Sequence, residues 1–456
     1  MPVRFIISVW ILLPILSLSL WSQGIAPYPN AVTDRVVHAK TPMAPPSVRA
    51  PFHEPDFGSM MVRVTDEKTD ARFPGSFFRN PTPDVNEWSV DNRKFYVSEG
   101  NGINHINIAF AFDSSTMTVS SLPGASPNGG LQVPLRLGPT FSFLDSDLMY
   151  GTDLRQPLTI DAFRFSTGKT SPLIDVTTCG TQPALVAGKK VSSGDLTVSS
   201  DDSRIVISAG GNSASKRPFV IVYDQKLGCR WYNTQTGQIG GTWGDIGQAS
   251  TPDRFVVNHS KISGNGQYVR IGVGNTGFYI WDLSTQNVTA CKVHGTLKCS
   301  GYGAIGYDSY INTPGAIDEL NTLRRNLGDL SVLTPLINPL PLPHYKGMEK
   351  LFAWSNGRVN TNAPVCGATY SPSGNTEIKQ PYDGEIFCME TDGLASTIWR
   401  FAHNRAVWDP EYYWTEPAGN MSLDGRFYIF TSGWDNQVGT TADGDPRTDI
   451  WIIKLD

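Results

Sequence analysis

One turn sequence recurs along this 456-residue chain and constrains its fold more than any other feature. A serine precedes a short run rich in Asp, Asn and Gly, and a β-rich run follows, which is the pattern of a β-hairpin. The clearest copies are SVDNRKFYV from Ser89, SSDDSRIVI from Ser199, SGNGQYVRI from Ser263, SPSGNTEI from Ser371 and SLDGRFYIF from Ser422. Weaker copies lie near Phe143 (FSFLDSDLMYG) and Asp308 (GAIGYDSYIN). The sequence therefore predicts seven units of about 45 to 65 residues each.

Repeats of this length are typical of a β-propeller, in which each unit is a four-stranded antiparallel blade around a central channel. The fourth unit predicts strands in NHSKIS, QYVRIGVG, GFYIWDLS and NVTAC. The last unit has three predicted strands, whereas MMVRVTDEK at residues 60–68 is a strand with no unit of its own. We therefore predict an all-β, seven-bladed propeller over residues 57–456, closed by this N-terminal strand so that the last blade has no open edge.

One segment departs from the β pattern. TPGAIDELNTLRRNLGDLSVLTP, residues 313–335, has Pro314 at a suitable first helical position and leucines at helical spacing. It predicts a helical insertion over about residues 314–331. The insertion either covers a blade edge or acts as a lid.

The N-terminus predicts export. A basic lead, MPVR, precedes an apolar run at residues 5–20, and small residues follow it. This is the pattern of a signal peptide, here residues 1–24, ahead of an N-terminal extension at residues 25–56. An uncleaved anchor is the alternative, although the run is short for a membrane span. We expect a secreted or periplasmic monomer without a membrane span after cleavage.

Six cysteines fit such a chain, and none forms a C-x-x-C pair, which disfavours a structural zinc site. Sequence alone does not choose among the many complete pairings. Local pairing suggests Cys291 with Cys299, Cys366 with Cys388 and, by remainder, Cys179 with Cys229. Free buried thiols are the alternative. The net charge of -5 and the absence of a basic tract argue against a nucleic-acid partner.

The S-x-D-G-R turn followed by a strand resembles the secreted TolB-type and WD40-like propellers, and it is more distantly similar to the seven-bladed oligogalacturonate lyase group. The resemblance covers most of residues 57–456. In lyase-like members, His residues that begin inner strands ligate a metal in the channel. The matching position, four residues before the turn serine, is Asp195, His259, Gly367 and Ala418 in the four best-aligned units.

Only His259 of these could serve as an imidazole ligand. The last unit reads EPAGNMSLDG where the family often has QPHPSFSPDG, so Ala418 replaces the His and Glu416 replaces the Gln. These departures from the family pattern argue against a His-rich metal site of the lyase type. We assign no metal ligands, and it stays open whether a divalent cation such as calcium binds.

The candidate site lies at the mouth of the channel, where inner strands begin and the preceding loops meet them. Candidate catalytic residues are His259, His403 and Arg405, and candidate substrate-binding residues are Asp195, Trp408, Tyr413, Trp414 and Glu416. Aromatic faces stack on sugars, Arg pairs bidentately with a carboxylate, and His can act as a general base. Alternatively, the rings pack between blades, and the polar groups bond the backbone and one another.

The sequence thus predicts an exported propeller that binds a carbohydrate at its channel mouth. If the protein also cleaves this carbohydrate, we expect a polysaccharide lyase or a glycoside-active enzyme. The alternative is a non-catalytic scaffold for a protein or envelope partner. Fold alone does not decide between them, because propellers host many functions.

Overall fold

The computed structural model describes residues 28–456 apart from positions 71, 73–74, 82–84, 101–104, 127, 137, 154–157, 180–195, 211–216, 244–246, 252, 274–276, 294–295, 298, 300–302, 313–321, 337–348, 371–376 and 394–396. Nearly all regular structure in these residues is β-strand, arranged as seven antiparallel blades. Their helical elements are single 3-10 turns at Val176–Thr178, Asn356–Arg358 and Tyr413–Thr415. The predicted all-β, seven-bladed propeller is confirmed.

The strands follow one another blade by blade, from the channel outward. Before the first blade come β1 (Pro51–His53) and β2 (Met60–Arg63). Blade 1 contains β3 (Phe77–Arg79), β4 (Lys94–Gly100), β5 (His105–Asp113), β6 (Thr118–Ser121) and β7 (Leu131–Val133). Blade 2 contains β8 (Thr140–Phe141), β9 (Leu148–Thr152), β10 (Thr159–Arg164) and β11 (Lys169–Asp175). Blade 3 contains β12 (Thr197–Val198), β13 (Arg204–Ala209), β14 (Phe219–Asp224), β15 (Gly228–Asn233), β16 (Gln238–Gly241) and β17 (Gly247–Gln248).

The remaining blades follow the same order. Blade 4 contains β18 (His259–Ile262), β19 (Tyr268–Gly272), β20 (Phe278–Asp282) and β21 (Val288–Ala290), with a small hairpin of β22 (Lys292–Val293) and β23 (Thr296–Leu297) after it. Blade 5 contains β24 (Gly303–Ile305), β25 (Ser309–Asn312), β26 (Leu323–Asn326) and β27 (Leu333–Pro335). Blade 6 contains β28 (Glu349–Ala353), β29 (Val365–Tyr370), β30 (Glu385–Met389) and β31 (Ile398–His403). Blade 7 contains β32 (Gly419–Met421), β33 (Phe427–Ser432) and β34 (Asp449–Lys454).

The N-terminal strand closes the ring as predicted. Strand β2 pairs antiparallel with β34, with Met61 opposite Ile453, and β1 adds a fifth strand outside it. The Arg63 guanidinium donates to the buried Asp449 carboxylate from Nε and Nη2, at 2.9 and 2.6 Å. This contact joins residues 386 positions apart in the chain. The backbone ladder of the last blade is therefore completed by the first strands of the chain, which removes an open edge.

The repeated serine has one structural role. In four blades its hydroxyl donates to the Asp or Asn two residues later and accepts a backbone N–H five residues later, so it fastens the turn between the inner and second strands. The four donor–acceptor pairs are Ser89–Asp91 (2.7 Å), Ser199–Asp201 (2.6 Å), Ser263–Asn265 (2.6 Å) and Ser422–Asp424 (2.7 Å). The repeat in the sequence is thus a repeat of turn chemistry.

The prediction that Ser371 opens such a turn is wrong. Strand β29, which ends at Tyr370, is the second strand of blade 6, and Ser371 lies outside the described residues. The inner strand of this blade is β28, and its turn begins at Ser355. The pattern was hidden because this turn, SNGRVNTNAP, is longer than the others, so no β-rich run follows the serine directly. The count of seven units is unaffected.

The predicted helical insertion is also wrong where the chain is described. Strand β26 pairs with β25 along four residues and β27 pairs with β26, so residues 323–335 form the outer half of blade 5. Residues 313–321 lie outside the described residues. Leu323 and Leu327 are buried in the blade, and their spacing mimicked a helix because a short strand and its turn lie between them. Pairing along the sheet outweighs local helical preference here.

The six cysteines form the three suggested pairs, Cys179–Cys229, Cys291–Cys299 and Cys366–Cys388. Disulfides persist mainly in oxidising compartments, so they are consistent with an extracytoplasmic protein. No helix in the described part of the chain is long and apolar enough to cross a membrane.

The N-terminal extension, described from Tyr28, covers the outer side of blades 6 and 7. Val32 forms an antiparallel bridge with Arg400 of β31, and the Arg400 guanidinium donates to the Asp34 carboxylate at 2.7 Å. The same guanidinium makes two bonds, at 2.8 and 2.6 Å, to the buried Glu385 carboxylate of β30. The extension is thus an integral layer of the fold rather than a linker.

The turns between inner and second strands all lie at one end of the propeller, which we call the turn face. They bond to one another from blade to blade: Ser200 to Gly264 at 2.9 Å, Gly264 to Gly306 at 2.8 Å, and Tyr307 to Gly357 at 2.8 Å. Arg358 of blade 6 reaches past blade 5 and donates to the carbonyl oxygens of Val198 and Ile262, where the inner strands of blades 3 and 4 end. Its buried guanidinium therefore crosses the channel at the turn face. The opposite end of the channel, where the inner strands begin, is the mouth.

Candidate functional site at the channel mouth

His259 and Arg270 form a cationic pair on blade 4. His259 begins the inner strand β18, as predicted, and Arg270 lies on β19 beside it. The Arg270 Nη1 lies 2.5 Å from the His259 Nε2. Because Arg has only donors, this Nε2 must be the acceptor, and the imidazole proton resides on Nδ1. The imidazole is half-buried and Arg270 is buried behind it, so the histidine is the part of the pair nearer to solvent.

Sequence features explain this placement. Gly272 lies opposite His259 in the ladder, and a Cβ at Gly272 would come within 2.3 Å of the His259 Nε2, so only glycine leaves room for the ring. The Arg270 guanidinium is held between two aromatic rings, 4.7 Å from the Phe278 centroid and 4.6 Å from that of Tyr310. Such stacking holds a buried guanidinium in a fixed orientation.

The surroundings of the pair carry positive charge. Burial, followed by the charges of Arg270 and Arg217, lowers the pKa of His259 to about 3. Burial also holds the pKa of Lys261, two residues along the same strand, well below its ordinary value, and Arg270 adds to this effect. Among the described residues, no carboxylate lies within ion-pair distance of His259 or Arg270. The positive charges around His259 and Lys261 therefore give this end of the channel a potential that favours an anion.

Tyr413 and Trp414, which precede β32 of blade 7, pack against residues of blade 1. The Trp414 ring is buried and stacks on Phe77 at 4.2 Å with an interplanar angle of 2°, and its Nε1 donates to the Pro446 carbonyl at 2.9 Å. The neighbouring Tyr413 ring is 49% exposed, and the Arg79 guanidinium lies 4.8 Å from its centroid. Trp414 is therefore a packing residue, whereas Tyr413 offers an accessible ring.

Two further residues of the predicted set lie nearby. Trp408 is half-buried and lies 5.6 Å from the Tyr370 ring of β29. Glu416, also half-buried, follows the 3-10 turn Tyr413–Thr415 and precedes β32, so it is at the start of an inner strand as expected. Asp195 lies outside the described residues.

His403 and Arg405 do not lie beside His259, as the sequence predicted, but at the outer side of blade 6. His403 ends β31, the outer strand of blade 6, and is fully buried, with its Nε2 3.7 Å from the Asp56 carboxylate of the N-terminal extension. Arg405 is also buried, and its Nη2 donates to the Thr41 carbonyl at 2.6 Å. The expectation that both meet His259 at one channel mouth is wrong, because the extension covers them at the outer side of the ring. Their assigned catalytic roles stay a prediction, without geometric support here.

Arg270 and Arg79 were missed by the sequence reasoning. Arg270 had a signal, since a charged residue alternates with the apolar residues of QYVRIGVG, and a charge inside such a strand indicates a polar partner. Arg79 follows two phenylalanines at residues 77–78 and had no distinguishing pattern. Within the described residues, no group of three or more His, Cys, Asp or Glu is positioned to hold a metal ion.

Solved structures share this architecture. An oligogalacturonate lyase from Vibrio parahaemolyticus superposes with a TM-score of 0.51 at 12% identity, over 89% of this chain and 96% of the lyase. An oligogalacturonate lyase in complex with manganese gives a TM-score of 0.51 at 11% identity, over 93% of this chain and 98% of the other. No protein-family model and no curated protein matches the sequence. The resemblance to the lyase group is confirmed for the fold. At 11 to 12% identity, the activity of those lyases cannot be assigned to this chain.

Proposed function

We propose that this propeller binds an acidic carbohydrate at the mouth of its channel. The observation that carries the proposal is the His259–Arg270 pair, a fixed cationic group on blade 4 with no carboxylate of the described residues in ion-pair range, at the end of the channel opposite to Arg358. A sugar carboxylate would complement the positive charge of Arg270, and Tyr413 provides a ring on which a sugar can stack.

The chemistry assigns separate roles to the pair. With Nε2 occupied by Arg270, the His259 Nδ1–H is left to donate to an anionic oxygen. Arg270 acts through the imidazole, as a positioning residue that fixes the ring and adds positive potential. A hydrogen bond to a charged group contributes about 1.5 to 3 kcal/mol, so loss of the His259 contact should weaken binding about tenfold or more.

Binding is better supported than cleavage. A histidine whose pKa lies near 3 is a weak general base at neutral pH. The other two candidate catalytic residues, His403 and Arg405, are buried under the N-terminal extension. A lyase or glycoside-active role would therefore need a base other than those assigned.

The experiment compares a galacturonate trisaccharide with its methyl ester by titration calorimetry against the full chain. The acid should bind at least tenfold more tightly than the ester, and His259→Gln should abolish the difference. His38→Gln, a matched change on the N-terminal extension, should leave it intact. Equal affinity for acid and ester, or no binding of either, would overturn the proposal. Ultraviolet absorbance with added calcium or manganese tests cleavage in the same samples.

A further inference from the structure

Exposed apolar side chains concentrate on the turn face, far from the channel mouth. Of the eleven large apolar side chains that are exposed among the described residues, four lie in turns between inner and second strands. These four are Val90 (37% exposed), Leu144 (66%), Tyr307 (40%) and Val359 (51%). Three more, Leu227, Val332 and Leu333, lie in or beside turns between third and fourth strands, which return to the same face. One face of the propeller thus carries most of the exposed apolar surface.

Carboxylates alternate with these apolar side chains. In three turns an exposed apolar residue is followed directly by an aspartate, at Val90–Asp91, Leu144–Asp145 and Tyr307–Asp308, and in blade 7 the half-buried Leu423 precedes Asp424. The turn of blade 3 adds the exposed Asp201. The sequence repeat therefore places an apolar side chain and a carboxylate at corresponding positions around a ring.

The turn chemistry holds three of these carboxylates in place. The Oδ1 of Asp91, Asp201 or Asp424 accepts from the turn serine, and all three aspartates are exposed. Burial opposes ionisation of Asp91, but the bonds from Ser89 and the Arg93 N–H outweigh it and keep its pKa below the ordinary value. The turns therefore present a rigid set of exposed carboxylates, with Arg93 and Arg426 in two of the same turns and Arg164 paired with Asp145 at 2.9 Å. A rigid surface loses little conformational entropy when a partner binds.

From this arrangement we propose that the turn face docks a polypeptide segment that presents basic and apolar side chains together. Charge complementarity selects this occupant. A second copy of the chain would bring one ring of carboxylates against another, and an anionic lipid surface would meet like charge in the same way. The proposal is independent of carbohydrate binding, because the two surfaces lie at opposite ends of the channel.

Two sets of substitutions separate the charge from the apolar contribution. Asp91→Asn, Asp201→Asn and Asp424→Asn together remove the carboxylates and retain the turns, because Asn265 already fills the same position in blade 4, where it accepts from Ser263 at 2.6 Å. Leu144→Ser with Val359→Ser removes two exposed apolar side chains. The matched control is Val36→Ser with Val37→Ser, an equally exposed apolar pair on the N-terminal extension.

The probe is a short synthetic peptide of alternating Leu and Lys, with oligolysine for comparison, and binding to the immobilised full chain is measured at two salt concentrations. We expect the Leu–Lys peptide to bind at least tenfold more tightly than oligolysine, each turn-face variant to lose at least tenfold, and the control to lose nothing. Equal loss in the control, unchanged binding by the Asn variant, or equal affinity for oligolysine would overturn the proposal. The proposal would also be overturned if sedimentation showed a dimer that Leu144→Ser with Val359→Ser abolishes. Tighter binding to phosphatidylglycerol vesicles than to the peptide would overturn it as well.

Discussion

Glu99 provides a quantitative test of the electrostatics of blade 1. Its side chain on β4 is 1% exposed, and its Oε1 accepts from the Ser76 hydroxyl at 2.5 Å. Burial, reinforced by the nearby Asp70 carboxylate, raises the pKa of Glu99 from 4.5 to about 8. The folded state therefore holds a proton that the unfolded chain releases near pH 4.5. The contribution of Glu99 to the free energy of unfolding is therefore fully present below pH 4.5, and it is lost as the pH rises towards 8.

The size of the effect follows from linkage. Between pH 6 and pH 8, a group with pKa values of about 8 folded and 4.5 unfolded removes about 2 kcal/mol of the free energy of unfolding. Glu99→Gln keeps an amide oxygen for Ser76 and cannot ionise, so the variant should lack this loss and exceed the native protein in stability at pH 8.

The assay is urea unfolding followed by tryptophan fluorescence at pH 6, 7 and 8, with Glu377→Gln, at an exposed position, as the control. The difference between the two pH profiles isolates Glu99 from all other titrating groups. A Glu99→Gln profile that falls as steeply as the native one would refute the reasoning, as would an equal effect in the control.

Two further predictions concern packing and ion pairs. Arg400→Met leaves the buried Glu385 carboxylate without its partner and should lower the free energy of unfolding by about 3 to 5 kcal/mol. Arg426→Met, which breaks an exposed pair, should cost at most about 1 kcal/mol, and equal losses in calorimetry would contradict the argument. Gly419→Ala would place a Cβ 2.4 Å from the buried Tyr428 ring, so we expect a loss of about 1 to 3 kcal/mol; an unchanged melting temperature would contradict this.

The fold could be predicted because the turn sequence that begins with a serine recurs along the chain. In four blades the turn serine is followed two residues later by an Asp or Asn that makes the same hydrogen bond, so these copies and their spacing predict the number of blades. The closure was also predictable, because β2 had no unit of its own and the last unit lacked a strand. Prediction failed at two places where the repeat is irregular. The long turn after Ser355 hid the repeat, and the leucines near Leu323 have a helical spacing although they lie in a blade.

The candidate site was only partly predictable. His259 could be placed because its strand carries the repeat. His403 and Arg405 lie close to Trp408 in the chain, yet the sequence has no measure of which outer strand the N-terminal extension covers. Their burial depends on contacts with Asp56 and Thr41, more than 340 residues earlier in the chain. Arg270 acts through a tertiary contact with two aromatic rings, one from a neighbouring blade, and such contacts leave no local pattern.

The closing strand has a consequence for the order in which the molecule assembles. Synthesis proceeds from the N-terminus, so β2 is made long before β34, its partner 386 positions away at Arg63 and Asp449. Blades 1 to 6 can each pair their strands as they appear, whereas the seventh is complete only when β34 pairs with β2. Until then the hydrogen-bonding edges of two strands remain exposed, and such long-range pairing is slow. The incomplete ring is thus the stage at which the nascent chain most needs protection from aggregation.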